Sequence, residues 1–234
     1  MRKTRLHLYT LDMKYVRNLS KADDKVMSVS PQENKENRPF VGIVVVMDGK
    51  KYCIPLTSPK PKHEKMKNDL DFSKMYDAHN RFIGALNFNN MIPVSEEYIK
   101  QINIKPSKND SPKEKNYKEL LNNQLDWCND NFDSITKKAN KLYKFVTQTP
   151  EKSRNLTRRC CNFKKLENVL LNHIQKKEKS DVYYLEITSP EQLKSLEKSG
   201  IAYKLNPQKT IAAVAKVDKE KALESISKSN KPKR

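Results

Sequence analysis

The sequence predicts an α+β fold, and three observations support this prediction. Asp48-Gly49 lies between two β-rich runs, 40–47 and 51–57, and favours a hairpin because both turn positions need a positive φ. From Tyr117 to Val146, apolar residues recur at three- and four-residue steps, which is typical of helices. Residues 181–226 show a β-α-β-β-α pattern of their own. Strands therefore dominate the first half, helices the middle, and a small mixed unit the end.

The first half is expected to contain short strands joined by polar segments. Besides the hairpin, the expected elements are a strand over 5–10, a short helix over 13–20, a polar loop over 23–37, strands over 82–88 and 91–93, and a loop over 105–115. Pro55 and Pro59 lack an amide hydrogen, so the second hairpin strand should be an edge strand or leave the sheet there. The polar, mixed segment 68–76 indicates no regular element.

The second half is expected to be helical before the small final unit. The expected elements are two helices broken near 129–133, a third helix over 163–177, strands over 182–188, 202–205 and 210–217, a helix from Ser189-Pro190 to Gly200, and a last helix from Asp218 to Ile226. These elements predict a main domain over 1–179, an accessory α+β unit over 180–226 and a basic, disordered tail over 227–234.

Composition indicates the class of partner. The 234 residues include 47 Lys and Arg against 28 Asp and Glu, a net charge of +19. Such a chain gains affinity for a polyanion by releasing counterions, so nucleic acid is the leading partner class and an anionic membrane surface the alternative. A Lys-rich chain without any anionic partner is an equally ordinary explanation.

The cysteines and the N-terminus predict a cytoplasmic protein. Four cysteines form no CxxC pair, and the adjacent Cys160-Cys161 is poor spacing for a metal site, so reduced thiols are expected. The charged N-terminus lacks the apolar segment of a signal peptide, and the longest apolar run, Ile43 to Met47, is too short to span a bilayer.

Two basic regions could contact RNA. In the first, Thr57, Ser58 and Lys60 follow a strand on a proline-rich turn, where hydroxyls and an ammonium suit a phosphate. The neighbouring candidate RNA-binding residues are Lys50, Lys51, Lys62 and His63. His63 could act as a proton shuttle. An ordinary turn with solvated lysines is the alternative, and spacing alone favours it.

The second basic region, 137–165, holds ten Lys and Arg against the single acid Glu151. Its candidate RNA-binding residues are Lys141, Lys144, Arg154, Arg158, Arg159 and Lys164. Tyr143, Phe145 and Phe163 lie among them and could stack on unpaired bases. A solvated helix face with core aromatics is the competing explanation.

Other enzyme classes find no support. GxSxG, P-loop, HExxH and dinucleotide motifs are absent, and no carboxylate cluster suggests a two-metal nuclease. Only four glycines are present, which disfavours a glycine-rich phosphate loop. We therefore expect neither a metal nor another cofactor.

An ordered set of segments resembles the ToxN/AbiQ family of type III toxins. The segments are Leu8-Tyr9-Thr10 with Lys14-Tyr15, Arg38-Pro39-Phe40-Val41-Gly42-Ile43-Val44, Lys51-Tyr52 through Pro55-Leu56-Thr57-Ser58-Pro59-Lys60, Ile83-Gly84-Ala85-Leu86-Asn87 with Met91-Ile92-Pro93, and Cys161-Asn162-Phe163. The likeness covers residues 5–178, so the final β-α-β-β-α unit is additional to the family pattern.

The resemblance implies a MazF/PemK-like antiparallel β-barrel surrounded by helices. It implies a metal-independent endoribonuclease in which the 2′-OH of single-stranded RNA attacks the adjacent phosphate, leaving a 2′,3′-cyclic phosphate. It also implies inhibition by repeated, pseudoknotted antitoxin RNA in a closed toxin–RNA heteromer, cellular or phage mRNA as substrate, and abortive-infection phage defence. The alternative is a barrel protein that binds RNA or has a structural role without catalysis.

The resemblance also implies roles for individual residues. Thr57, Ser58 and Lys60 match the family's active-site turn, Tyr15 matches an active-site tyrosine, and Arg38 matches a cation before the barrel strand. A nucleophile supplied by the substrate explains why no enzyme nucleophile is evident.

Overall fold

The computed structural model describes residues 6–29, 32 and 37–228. It divides into two compact units, 1–170 and 171–234. Each unit has its own cluster of buried apolar side chains. The predicted domain limits at 179 and 226 stay predictions.

The first unit contains one antiparallel sheet in the order β4-β5-β3-β2-β1-β7, with β6 also paired to β3. Its strands are β1 (His7–Leu11), β2 (Phe40–Val45), β3 (Lys51–Thr57), β4 (Phe72–Tyr76), β5 (Phe82–Asn87), β6 (Ile92–Pro93) and β7 (Ile99–Gln101). The predicted α+β class with antiparallel pairing is confirmed. Within the described residues β4 and β7 end the sheet without pairing to each other, so the expected closed barrel is not seen. The likeness to MazF and PemK stays a prediction.

The predicted hairpin is confirmed at the level of the backbone. Asp48 has φ 60° and Gly49 has φ 69°, the left-handed values that a two-residue hairpin turn requires. The amide of Lys50 donates to the carbonyl oxygen of Met47 across the turn, at 3.4 Å.

Of the two positions expected for the second hairpin strand, the edge of the sheet is wrong, whereas the strand does end at Thr57, between Pro55 and Pro59. β3 lies inside the sheet, paired on one side with β2 and on the other with both β6 and β5. Tyr52 and Cys53 pair with β6, whereas Leu56 and Thr57 pair with β5. Pro55 therefore lies where the partner strand changes, a position at which a missing amide hydrogen leaves no gap in a ladder.

Over the described residues, six α-helices lie between residues 13 and 180. They are α1 (Met13–Ala22), α2 (Pro61–Lys65), α3 (Pro112–Asp130), α4 (Phe132–Gln148), α5 (Arg154–Arg159) and α6 (Phe163–Ser180). The predicted break near 129–133 and the helix from Phe163 are confirmed. α3 begins at Pro112, before the predicted Tyr117, because Ser111 and Glu114 form a reciprocal capping box. Four elements, α2, α5, β4 and β7, were not predicted from the sequence.

The second unit follows its predicted order. It consists of β8 (Val182–Glu186), α7 (Pro190–Lys198), β9 (Tyr203–Leu205), β10 (Ile211–Ala215) and α8 (Lys219–Lys228). The hydroxyl of Ser189 accepts from the amide of Gln192 and caps α7 as expected. The predicted tail begins inside α8, and its remainder, 229–234, lies outside the described residues.

Candidate active site

Four of the five predicted catalytic residues line one cavity of about 470 Å³. They are Arg38, Thr57, Ser58 and Lys60, which place two cations and two hydroxyls around the same space. The other lining residues are Asn37, Pro39, Leu56, Tyr117, Leu120, Leu121 and Gln124. Hydroxyl donors beside cations are suited to bind a phosphodiester and to stabilise added negative charge on it.

The order of residues after β3 produces this arrangement. Thr57 is the last residue of β3 and pairs with Ala85 of β5. Three residues on, Lys60 has extended backbone angles and precedes α2, where Pro61 occupies the first helical position. Ser58 and Lys60 are exposed. The turn thus presents a hydroxyl and an ammonium to solvent from a strand end that the sheet holds in place.

Gln124 of α3 holds the backbone of Thr57. The Thr57 carbonyl oxygen accepts from Nε2 of Gln124 at 3.4 Å, and the same nitrogen donates to the carbonyl of Ile83 at 2.7 Å. Gly84 lies between these groups, and a β-carbon there would collide with the Thr57 carbonyl oxygen. Only glycine fits at this junction of β3, β5 and α3.

His63 of α2 faces Thr57. Its Nδ1 lies 3.5 Å from the Thr57 hydroxyl oxygen, and its ring packs near Phe72 with centroids 5.9 Å apart. Burial lowers the pKa of His63, helped by the nearby Lys62 and Lys60, while a hydrogen bond to the Ser58 backbone opposes the shift. Because the residue is only 7% exposed, the expected direct contact of His63 with RNA does not fit this position.

Arg38 enters the cavity just before β2. Its Nε donates to the carbonyl oxygen of Ser28 at 2.9 Å, and one terminal nitrogen lies 3.6 Å from Sδ of Met27. These contacts anchor the guanidinium group to the segment after α1.

Tyr15 lies apart from the cavity. Its side chain is fully buried, its hydroxyl donates to the carbonyl oxygen of Pro93 at 2.7 Å, and its ring stacks on Tyr98 at 4.7 Å. Burial raises the pKa of Tyr15. In this structure the predicted catalytic tyrosine packs the core and does not join the other four residues.

Several predicted RNA-binding cations form ion pairs with carboxylates. Lys50 and Lys164 lie 3.4 and 3.7 Å from Glu167, whose carboxylate also accepts from the hydroxyls of Tyr52 and Tyr143. The hydrogen bond that Nζ of Lys50 donates to the Tyr143 hydroxyl raises the pKa of Lys50. The other ion pairs of these cations join Lys50 to Asp48, Lys51 to Glu96, and Arg159 to both Asp71 and Asp69. Intramolecular partners therefore offset part of the positive charge in both basic regions.

The remaining predicted cations are exposed and make no ion pair with any described residue: Lys62, Lys141, Lys144, Arg154 and Arg158. Tyr143 and Phe163, proposed as stacking faces, are buried and stack on each other at 5.9 Å. For these two aromatics the core explanation holds, whereas Phe145 is only half-buried.

Tyr117 and Gln124 line the cavity but were not among the predicted site residues. They lie two turns apart on α3 and therefore share a face. Tyr117 stands partly exposed at the cavity, and burial raises its pKa. A signal was available for Gln124, since an amide within an apolar helical stripe needs buried hydrogen-bond partners.

A protein-family model described as "Toxin ToxN, type III toxin-antitoxin system" matches residues 7–171 of this chain. This chain belongs to the ToxN family. The resemblance expected from the ordered segments is thereby confirmed, and the match ends before the second unit's sheet.

Curated relatives and solved structures agree with this membership. The chain is 34% identical over 162 residues to Endoribonuclease ToxN of Bacillus thuringiensis subsp. kurstaki, covering 68% of this chain and 79% of that protein. It is 31% identical over 165 residues to Endoribonuclease ToxN of Pectobacterium atrosepticum, covering 69% and 90%. The prediction of an endoribonuclease is thus confirmed at the level of the family.

Two solved structures show the same fold for the family region. One concerns type III systems with selective toxin inhibition by a non-coding RNA pseudoknot, with 30% identity, a TM-score of 0.63 and coverage of 74% of this chain and 99% of that one. The other is AbiQ, a lactococcal anti-phage endoribonuclease, with 25% identity, a TM-score of 0.63 and the same coverage.

Across 6–29, 32 and 37–228, no group of three or more His, Cys, Asp or Glu is placed to hold a metal ion. Over the same residues, every helix is too short or too polar to cross a bilayer.

Proposed function

We propose that this chain is the toxin of a type III toxin–antitoxin system and cleaves single-stranded RNA without a metal ion. Membership of the ToxN family and two relatives named endoribonucleases support the activity. The observation that carries the chemistry is the cavity shared by Arg38, Thr57, Ser58 and Lys60. It offers cations and hydroxyl donors, which are the groups needed when the substrate brings its own nucleophile.

The proposed reaction is an internal transfer at one phosphodiester. The ribose 2′-oxygen forms a bond to the adjacent phosphorus as its proton leaves, and the bond from phosphorus to the 5′-oxygen breaks. A proton is delivered to the departing 5′-oxygen, so the products are a 2′,3′-cyclic phosphate and a 5′-OH. Atoms and charge balance without any added reactant.

Each residue has a part in this scheme. Lys60 and Arg38 stabilise the charge that builds on the non-bridging oxygens, and the hydroxyls of Ser58 and Thr57 donate hydrogen bonds to them. His63 and Gln124 do not need to touch RNA, because they hold Thr57 from its side chain and its carbonyl. They act as positioning residues.

Membership of the ToxN family also supports a proposal about regulation by RNA. We propose that a repeated, pseudoknotted antitoxin RNA inhibits the toxin, which cuts the repeats and assembles with them into a closed heteromer. A solved relative described with a non-coding RNA pseudoknot supports this proposal. The anti-phage description of AbiQ supports a role in abortive infection, with cellular or phage mRNA as substrate.

The test is cleavage of a labelled, A-rich single-stranded RNA by the purified chain in EDTA. We expect cleavage, a cyclic phosphate in the mass spectrum, and loss of cleavage when the reacting ribose is replaced by 2′-deoxyribose. A requirement for Mg²⁺ or a product with a free 3′-OH would refute the mechanism. A non-catalytic RNA-binding protein would leave the RNA intact and would be tolerated when expressed without antitoxin.

A further inference from the structure

The sheet of the second unit has one covered and one open face. Side chains on the covered face pack with α7 and α8 into a buried cluster: Leu185, Ile187, Leu196, Ile201, Ala212, Val214 and Ala222. Because successive residues of a strand point to opposite faces, the alternate residues define the open face. They are Val182, Tyr184, Glu186, Lys204, Ile211, Ala213 and Ala215.

A row of three residues crosses the middle of this open face. Ala213 of the central strand β10 is paired with Tyr184 of β8 on one side and with Lys204 of β9 on the other. Tyr184 is 66% exposed, an unusual exposure for an aromatic side chain. The small Ala213 leaves room beside the ring, and Lys204 is exposed and makes no ion pair with a described residue. An aromatic ring and a cation thus lie on either side of Ala213, on the same face of the sheet.

The size of the face argues against a second protein copy as its occupant. Two strand spacings and five residues of strand give a footprint of roughly 10 by 15 Å. A stable protein interface buries about 800 Å² on each partner, several times this footprint. Two of the seven outward residues, Glu186 and Lys204, are also charged, which disfavours an apolar self-contact.

A nucleotide chain fits the same face in size and chemistry. Single-stranded RNA binds sheets of this kind by stacking a few bases on exposed aromatic rings, with cations beside them for the phosphates. We propose that the open face of the second unit binds single-stranded RNA, with a base stacked on Tyr184 and a phosphate held by Lys204. The one acid on this face, Glu186, is paired with Ile211, two residues along β8 from Tyr184 and outside the Tyr184–Ala213–Lys204 row.

This site goes beyond the proposed nuclease function, because it lies in the part of the chain outside the family match. It would give the toxin a second RNA-binding site that is independent of the cavity at Ser58 and Lys60. An experiment can therefore find no RNA binding at this site while RNA cleavage is retained, or the reverse, so the two proposals are tested separately.

The test maps where RNA lies on the full-length chain. The probe is a short 2′-O-methyl oligoribonucleotide with a central 5-iodouridine, which is cross-linked to nearby aromatic rings by ultraviolet light. Mass spectrometry of tryptic peptides should find the RNA on residues 180–194, at Tyr184. Tyr184→Ala should lower the yield on residues 181–228 at least about fivefold, the range expected for one lost base stack. Tyr184→Phe should retain it, and Lys204→Ala should lower it.

Val217→Ala is the matched control, because Val217 is an exposed apolar residue outside the sheet. Its cross-linking should equal that of the wild type. Cross-links confined to the first unit, or an equal yield from the wild type and Tyr184→Ala, would overturn the proposal. Self-association in sedimentation velocity that Tyr184→Ala abolishes would also overturn it and assign the face to a second copy.

Discussion

Nδ1 of the buried His63 lies 3.5 Å from the hydroxyl oxygen of Thr57. This contact joins the short helix α2 to the end of β3, so the turn carrying Ser58 and Lys60 is supported from both of its ends. A site of flexible surface residues would lack such support, and catalytic geometry depends on it.

The pKa of His63 predicts how stability changes with pH. Burial lowers it from 6.5, so between 6.5 and the lowered value the unfolded chain binds more protons than the folded one. Stability from this residue is present above 6.5 and is lost as pH falls through the folded pKa. The stability difference between wild type and His63→Gln should therefore shrink from about pH 7.5 to pH 5. Urea unfolding at both pH values measures it, and a difference that grows at low pH would contradict the assignment.

Lys60 and Ser58 should each contribute strongly to the rate of RNA cleavage. Lys60→Ala and Ser58→Ala should each reduce it by about 100-fold or more, the usual cost of one lost stabiliser of transition-state charge. Both residues are exposed, so melting temperatures should not change. Lys65→Ala, on the exposed end of α2, is the matched control and should retain activity. A Lys60→Ala protein that cuts RNA at the wild-type rate would remove Lys60 from the site.

Gly84 should be far less replaceable than Gly49. In Gly84→Ala the new β-carbon meets the Thr57 carbonyl oxygen and Gln124 at a φ of +135°, and we expect a loss of about 3 kcal/mol or more. In Gly49→Ala only the left-handed φ is unfavourable, because no atom beyond the neighbouring residues would lie within 4 Å of the new β-carbon. Its cost should be about 1 kcal/mol. Urea unfolding of the two variants makes the comparison, and equal losses would refute the close approach.

Arg158 and Arg159 should behave differently although they are adjacent. Arg158 is exposed and makes no ion pair with a described residue, so Arg158→Glu should weaken RNA binding. The slope of the logarithm of the binding constant against the logarithm of salt concentration should become shallower by about 0.7 for each lost phosphate contact. Arg159 pairs with the buried Asp71 at 2.8 Å. Arg159→Glu should instead cost roughly 1–3 kcal/mol of stability, since the pair is only half-exposed and Asp71 is left uncompensated.

Filter binding of a 2′-O-methyl RNA between about 50 and 200 mM salt, with urea unfolding in parallel, separates these two effects. An unchanged affinity of Arg158→Glu would make this surface a solvated helix face without an RNA role.

Removing the second unit should leave cleavage intact. The buried clusters of the two units share no residue, and the cavity residues all precede residue 125. A chain ending at Lys179 should therefore cut a short RNA at the full-length rate. Cleavage assays and circular dichroism of the truncated chain test this expectation. A folded but inactive truncated chain would show that the second unit belongs to the active enzyme.

Local signals in the sequence determined much of the secondary structure. The Asp48-Gly49 turn, the strand 51–57, the break between α3 and α4, and the cap at Ser189 each depend on residues within a few positions of one another. The order of family segments likewise pointed to Thr57, Ser58 and Lys60, because these residues lie within four consecutive positions of one turn.

The tertiary structure decided what depends on distant partners. Gln124 reaches the carbonyl of Ile83, 41 positions away, and Lys50 reaches the hydroxyl of Tyr143, 93 positions away. No periodicity or propensity encodes such pairs, since each exists only after the sheet and helices have packed together. For that physical reason the burial of His63 and Tyr15, the central place of β3, and the joining of Tyr117 to the cavity emerged only from the folded chain.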